Sequence, residues 1–179
     1  MRRLYVATTP TADPDAVEAI RESLEAAFEL PLAALDLPEI DFAYDAGRNQ
    51  YASSAVLESL SRAVPADAAK LLAVTGRDLF IPVLTFVFGQ AQLNGRVGLV
   101  SLARLRQEFY GLPPDPAVLL WRARKEALHE AGHMFGLVHC ADAACAMSLS
   151  TGVRQIDRKE AAFSRPCADR LRRPAEQST

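Results

Sequence analysis

All three histidines of this 179-residue chain, His129, His133 and His139, fall within the eleven-residue run HEAGHMFGLVH. Helix packing gives no reason to gather them there. His129 and His133 stand four residues apart, one turn and about 6 Å along a helix axis, so both imidazoles leave the same face. From there they can converge on one metal ion at roughly 2.0 to 2.1 Å. Glu130 sits about 100° around the helix, where its carboxylate reaches a water on the metal without being a ligand. Gly136 permits the left-handed conformation that stops a helix, and the chain can then bring His139 to the same ion. Three neutral imidazoles leave the fourth position of a zinc ion to water, whose pKa falls towards about 7. A bare HExxH occurs by chance; the extension through Gly136 to His139 adds two further constraints.

The elements that must hold these residues are legible around them. The helix carrying the histidines is predicted from Asp115 as N-cap and Pro116 at its first position to Gly136 at its end. Gly132 inside it costs about 1 kcal/mol against alanine and marks either a close backbone approach or a tolerated defect. Upstream, RRLYVATT reads as a strand. A helix follows with Asp13 as N-cap and Val17, Ile20, Leu24 and Phe28 on one face. A strand is expected near Leu32 to Leu37, loop over DAGRNQYAS, a helix over Ser53 to Val64 with Leu57, Leu60 and Val64 inward, and a buried strand at KLLAVT. LTFVFGQAQLNGRVGLVSL reads as two strands around Asn94-Gly95. Downstream, Asp157 with Glu160 reads as a capping pair that starts the final helix. Alternating helices and strands with one hairpin predict an α/β (α+β) fold with a mixed sheet. One domain is expected over 1–172 with a flexible tail at 173–179, and Arg165, Arg170, Arg172 and Arg173 read as a solvated basic tail.

Composition narrows the partners. A net charge of -2 and a pI near 5.9 leave no electrostatic footprint for nucleic acid or an anionic membrane surface. No apolar stretch approaches the roughly 20 residues that span a bilayer. The opening MRRLYVATTP carries two arginines like a signal segment, but its apolar run is a strand's length and no small-residue cleavage site follows. Three cysteines cannot close a complete disulfide framework, and a reducing, cytoplasmic setting suits them. A monomer is expected.

The pattern HExxHxxGxxH followed by a methionine is the metzincin signature, and the chain resembles that clan. HCADAACAM narrows the resemblance: a cysteine directly after the third histidine, another at Cys145, and Met147 eight positions beyond His139 are similar to the archaemetzincins. The likeness extends through DLFIPVLTFVFGQA, VSLARLRQEFYG, RARKEALHEAGH and RNQY at Arg48 to Tyr51. It implies a single compact zincin domain with a mixed twisted sheet over an active-site helix, followed by a C-terminal helix. It also implies zinc ligands His129, His133 and His139, a general base at Glu130, and Met147 in a methionine turn beneath the metal. Read alone, Met147 would be a core gap filler.

Archaemetzincins also carry a structural zinc held by four cysteines, and here the sequence departs. Cys140 and Cys145 match the first two, but the expected CxxC appears as FSRPC, leaving Cys167 with Ser164 in the other thiolate's place. Either a three-thiolate site is completed by water or by a carboxylate such as Asp142 or Asp169, or packing replaces the metal. The sequence reading favours packing. The function implied is a zinc-dependent metallopeptidase that hydrolyses peptide or protein substrates with no covalent intermediate. Glu130 takes the proton of the attacking water and returns it to the leaving amine. The edge strand TFVFGQAQ is the expected bed for an extended peptide. A zinc-containing peptide-binding protein with little turnover and a purely structural zinc domain are the rival readings.

Overall fold

The computed structural model describes residues 2–173, so the expected tail lies outside the described residues from position 174 onward. The chain begins with strand β1 (Arg3–Thr8), helix α1 (Pro14–Ala27) and strand β2 (Leu32–Asp36). Asp13 caps α1, accepting hydrogen bonds from the N–H groups of Asp15 and Ala16 at 3.0 and 3.1 Å. Ile20, Leu24 and Phe28 are buried on the predicted face. Helix α2 (Ser53–Ala63), strand β5 (Ala68–Thr75), strands β7 (Gly89–Ala91) and β8 (Val97–Ser101), and helix α3 (Pro116–Met134) complete the main frame.

Its sheet has the order β2-β1-β5-β8-β7, parallel throughout except for the antiparallel edge strand β7. Helices α1 and α3 pack on one face, where Leu4, Val6, Leu72 and Val100 meet Ile20, Leu24, Ala127 and Leu128. The other face is covered by Val56, Leu57 and Leu60 of α2. The inner strands β5 and β8 are buried on both sides, which is why KLLAVT reads as a continuous apolar run.

Three expectations need correction. DAGRNQYAS is not all loop: strands β3 (Tyr44–Asp45) and β4 (Gln50–Ala52) flank its turn and join β6 (Leu79–Phe80) in a small second sheet. The hairpin expected around Asn94-Gly95 forms, β7 pairing antiparallel with β8, but its connection is longer than a two-residue turn because β7 ends at Ala91 and β8 begins at Val97. The intervening loop instead reaches α3, where the Asn94 N–H donates to His133 O at 2.8 Å. Lys70 Nζ ties the same region together, donating to Gly95 O at 2.8 Å and Met134 O at 2.6 Å.

The third correction concerns the C-terminal segment, which holds two helices, α4 (Val153–Arg158) and α5 (Arg165–Arg172). Asp157 caps neither. It lies within α4 and accepts from Nε and Nη2 of Arg122, both at 2.8 Å, pinning α4 to α3. Gln155 does the capping, its Oε1 accepting from the Gly152 N–H at 3.0 Å. Arg165, Arg170 and Arg172 are exposed as expected, but on a helix rather than a tail.

Candidate active site

Helix α3 ends as Gly136 requires. Gly136 has φ +89, its N–H donates to His133 O, and the Leu137 N–H donates to Gly132 O, both at 2.9 Å. This pair of bonds is the Schellman motif, and it turns the chain so that His139 returns to the face carrying His129 and His133. The candidate ligand atoms of the three histidines all lie within 4.8 Å of one another. His129 Nε2 and His133 Nε2 are 3.1 Å apart. Two nitrogens held at zinc distance and a tetrahedral angle stand roughly 3.3 Å apart, so the spacing fits a shared ion.

The far side of each helical imidazole is fixed by the backbone. His129 Nδ1 lies 2.8 Å from Ala146 O and His133 Nδ1 2.8 Å from Leu137 O. With Nδ1–H donating to a carbonyl, Nε2 is left with its lone pair towards the cluster. Burial, reinforced by the Lys159 ammonium, pushes His129 down to about 3; burial also lowers His133 and His139. All three are therefore neutral near pH 7, the form that binds metal. His139 is the exposed member, at the mouth of the cleft.

Glu130 is buried beside the triad, and burial, then the neighbouring Glu126, raises its pKa well above the ordinary value. Its carboxylate lies against β7. A Cβ at Gly89 would stand 2.7 Å from Glu130 Cγ and Oε1 and 2.6 Å from Leu99 O, so only glycine fits at that point of the edge strand. Met147 is wholly buried beneath α3, and Gly132 makes room for it, since a Cβ there would meet Met147 Sδ at 2.4 Å. The turn that seats Met147 also supplies the Ala146 carbonyl that orients His129.

Several participants lay outside the sequence reading. Lys159 is buried behind His129, its Nζ 3.4 Å from Glu126 Oε1 and 3.5 Å from His129 Nδ1. Arg122, Lys125 and Glu126 all occupy the buried side of α3, where a hydropathy pattern assigns charged residues to solvent. RNQY also gains a structural purpose. Arg48 donates to Pro82 O and Leu84 O at 3.3 and 3.1 Å, and Gln50 to Thr85 O at 3.0 Å, fixing the irregular rim above the cleft. The cleft has a volume of about 420 Å³ and runs from the histidines along β7 to Glu126.

The cysteines converge as well. Cys140, Cys145 and Cys167 have their sulfurs within 4.8 Å of one another, and Ser164 Oγ lies 3.6 Å from Cys140 Sγ. Ser164 thus borders the cluster where the missing thiolate was expected, while Asp142 and Asp169 are not among the grouped ligands. Burial pushes the Cys167 thiol up to about 11. Burial opposes ionisation of Cys145 too, but hydrogen bonds from Ser164 and from the Met147 N–H outweigh it and lower that thiol. Leu137, Met147, Phe163 and Leu171 pack around the three sulfurs.

A mixed α/β domain with three histidines converging over a buried glutamate, at the foot of an edge-strand cleft, defines a zinc-dependent metallopeptidase. Comparison with known proteins narrows this class. Residues 25–173 match the model of Peptidase family M54. The archaemetzincin of Methanocaldococcus jannaschii is 45% identical over 138 residues, 75% of each chain, and that of Methanopyrus kandleri 44% over 137 residues, 76% of this chain and 73% of that one. The crystal structure of the Methanopyrus kandleri archaemetzincin superposes with a TM-score of 0.84 at 35% identity, covering 95% of this chain and 93% of that one. A zinc-dependent peptidase from Methanocorpusculum labreanum gives 0.85 at 31% identity, covering 94% and 99%. The chain belongs to Peptidase family M54, the archaemetzincins.

Proposed function

We propose that His129, His133 and His139 hold a single zinc ion and that Glu130 is the general base of peptide hydrolysis. The observation that carries this reading is the pair of Nε2 atoms 3.1 Å apart, each imidazole committed through Nδ1 to a backbone carbonyl. The bound ion would polarise the scissile carbonyl and acidify water beside it. Glu130 takes that water's proton on its carboxylate and later delivers it to the leaving amine. Met147 forms the apolar floor of the histidine cluster without being a ligand.

Strand β7 is the bed for the substrate. It is the sheet's edge, its outer backbone groups face the cleft, and Gly89 brings it into contact with Glu130. An extended peptide pairing there would carry its scissile bond past the glutamate. Three clustered free thiols suit a reducing, cytoplasmic setting.

At the cysteines we infer that packing stands in for the second metal. A serine hydroxyl is a poor zinc ligand at neutral pH, the Cys167 thiol resists ionisation, and the sulfurs are embedded in apolar side chains. The first test is metal analysis: the parent chain holds one zinc, and His133→Ala holds none. Undiminished zinc in that variant would remove the histidines from the site. Zinc binding with no cleavage across a peptide library would leave a peptide-binding role instead.

A further inference from the structure

The three thiols next to the histidines are free, and peptide hydrolysis gives them no task. Their sulfurs lie within 4.8 Å of one another, so a pair reaches the roughly 2 Å of a disulfide by moving about 3 Å at most, shared between two side chains. Cys140 and Cys145 stand at the ends of one tight loop, in which the Cys145 N–H donates to Asp142 O and the Cys140 N–H to Met147 O, both at 3.0 Å. Their surroundings differ. Cys140 is partly exposed, whereas Cys145 and Cys167 are buried, so an oxidant arriving from water meets Cys140 first. Cys145 Sγ accepts backbone N–H groups of Ser164 at 3.2 Å and Met147 at 3.4 Å. Such bonds favour the thiolate, the form that attacks another sulfur. Burial opposes ionisation of Cys145, but the hydrogen bonds outweigh it, whereas burial pushes the Cys167 thiol up to about 11. The sulfur within reach of an oxidant and the sulfur prepared to attack it are thus different residues, and Cys167 is the bystander.

Cys140 also directly follows His139, the ligand with the least support. His129 and His133 are each tied through Nδ1 to a backbone carbonyl, while the His139 ring makes no hydrogen bond among the described residues. Its place is therefore set by the backbone it shares with Cys140. Drawing Cys140 towards Cys145 displaces that backbone, and the groups that orient a metal ligand are worth about 10- to 100-fold in metal affinity.

We propose that Cys140 and Cys145 form a reversible disulfide under hydrogen peroxide and that this bond loosens His139, making the cysteine cluster a redox-modification site coupled to the metal centre. The Cys140 thiolate attacks one peroxide oxygen; an S–O bond forms, the O–O bond breaks, and the departing hydroxide takes up a proton as water, leaving Cys140 as a sulfenic acid. The Cys145 thiolate then attacks that sulfur; the S–S bond forms, the S–O bond breaks, and hydroxide again leaves and is protonated to water. Two thiols have lost two electrons and two protons, and the peroxide has gained them as two waters. A thiol reductant reverses the bond by exchange. This inference rests on the reading that zinc sits on the histidines and packing fills the cysteine cluster, since a metal there would shield the thiols.

The test uses the zinc-loaded full chain, hydrogen peroxide in small excess and a thiol reductant. Metal analysis before oxidation checks the underlying reading: one zinc per chain is expected, two would refute packing at the cysteines, none would refute the histidine site, and either would overturn the inference with it. Given one zinc, peroxide should lower the free thiols from three to one, and digestion with mass spectrometry should place the link between Cys140 and Cys145. Competition with a chelator should show zinc held about tenfold or more weakly after oxidation and as tightly as before once the chain is reduced. Cys140→Ser should keep its two thiols and its zinc affinity through peroxide, whereas Cys167→Ser should form the bond and show the same drop. Three thiols surviving peroxide in the parent with one zinc, a link between Cys145 and Cys167, or a Cys140 to Cys145 link that leaves zinc affinity unchanged would each overturn the inference alone.

Discussion

Two clusters of metal-ligand atoms meet at the peptide bond joining His139 to Cys140, and they differ in everything except compactness. In each, three donor atoms lie within 4.8 Å of one another. His129 and His133 are held from behind by backbone carbonyls, which aims their lone pairs, and with His139 they open in front onto a cleft. The cysteines are wrapped by Leu137, Met147, Phe163 and Leu171, with the Ser164 hydroxyl beside Cys140. Proximity of donors is common to both. The proposal that one is a catalytic metal centre and the other a packed knot of sulfur rests on their protonation and on the hydroxyl beside the second.

The sharpest way to break that contrast is to repair the second cluster. Ser164→Cys is expected to raise zinc from one to two per chain under reducing conditions with zinc in excess. Because the ion binds only the folded state, stability should rise by about 2.7 kcal/mol at zinc one hundredfold above its dissociation constant. Metal analysis and thermal melts with and without zinc check this. A single zinc in the variant would mean that Ser164 does not occupy a vacated vertex.

A smaller effect probes the floor that the two clusters share, since Met147 lies beneath α3 and also packs against the sulfurs. Gly132→Ala gains about 1 kcal/mol of helix propensity, yet its Cβ would stand 2.4 Å from Met147 Sδ. Overpacking of this kind costs about 1 to 3 kcal/mol, so the net change should be a modest loss of stability. Denaturant unfolding measures it. A more stable variant would show that Gly132 is a tolerated defect in the helix.

Much of this was legible in the sequence, for identifiable reasons. The spacing of His129, His133, Gly136 and His139 encodes helix periodicity and a left-handed stop, both local properties, and the Schellman turn forms where they require it. Asp13 and Asp115 cap their helices because Asp-Pro signals act within four residues. What escaped depends on partners distant in sequence. Asp157 looked like a cap because nothing local reveals Arg122, 35 residues away. Asn94-Gly95 carries a tight-turn signal, but the loop instead spends the Asn94 N–H on His133 O. Glu126 and Lys159 were invisible because each makes the other's burial tolerable, and a hydropathy pattern sees only one charge at a time.

The central claim is that the histidines hold the metal while Glu130 alone moves the proton, and one variant separates the two roles. Glu130→Gln keeps the side chain's size and leaves all three imidazoles in place. Zinc content should therefore stay at that of the parent while kcat/KM on a cleaved peptide falls by roughly 10² to 10⁴. Measured side by side in one preparation, retained zinc with lost turnover is the predicted result. Parent-level turnover in Glu130→Gln would contradict the account, and so would loss of zinc with the glutamate.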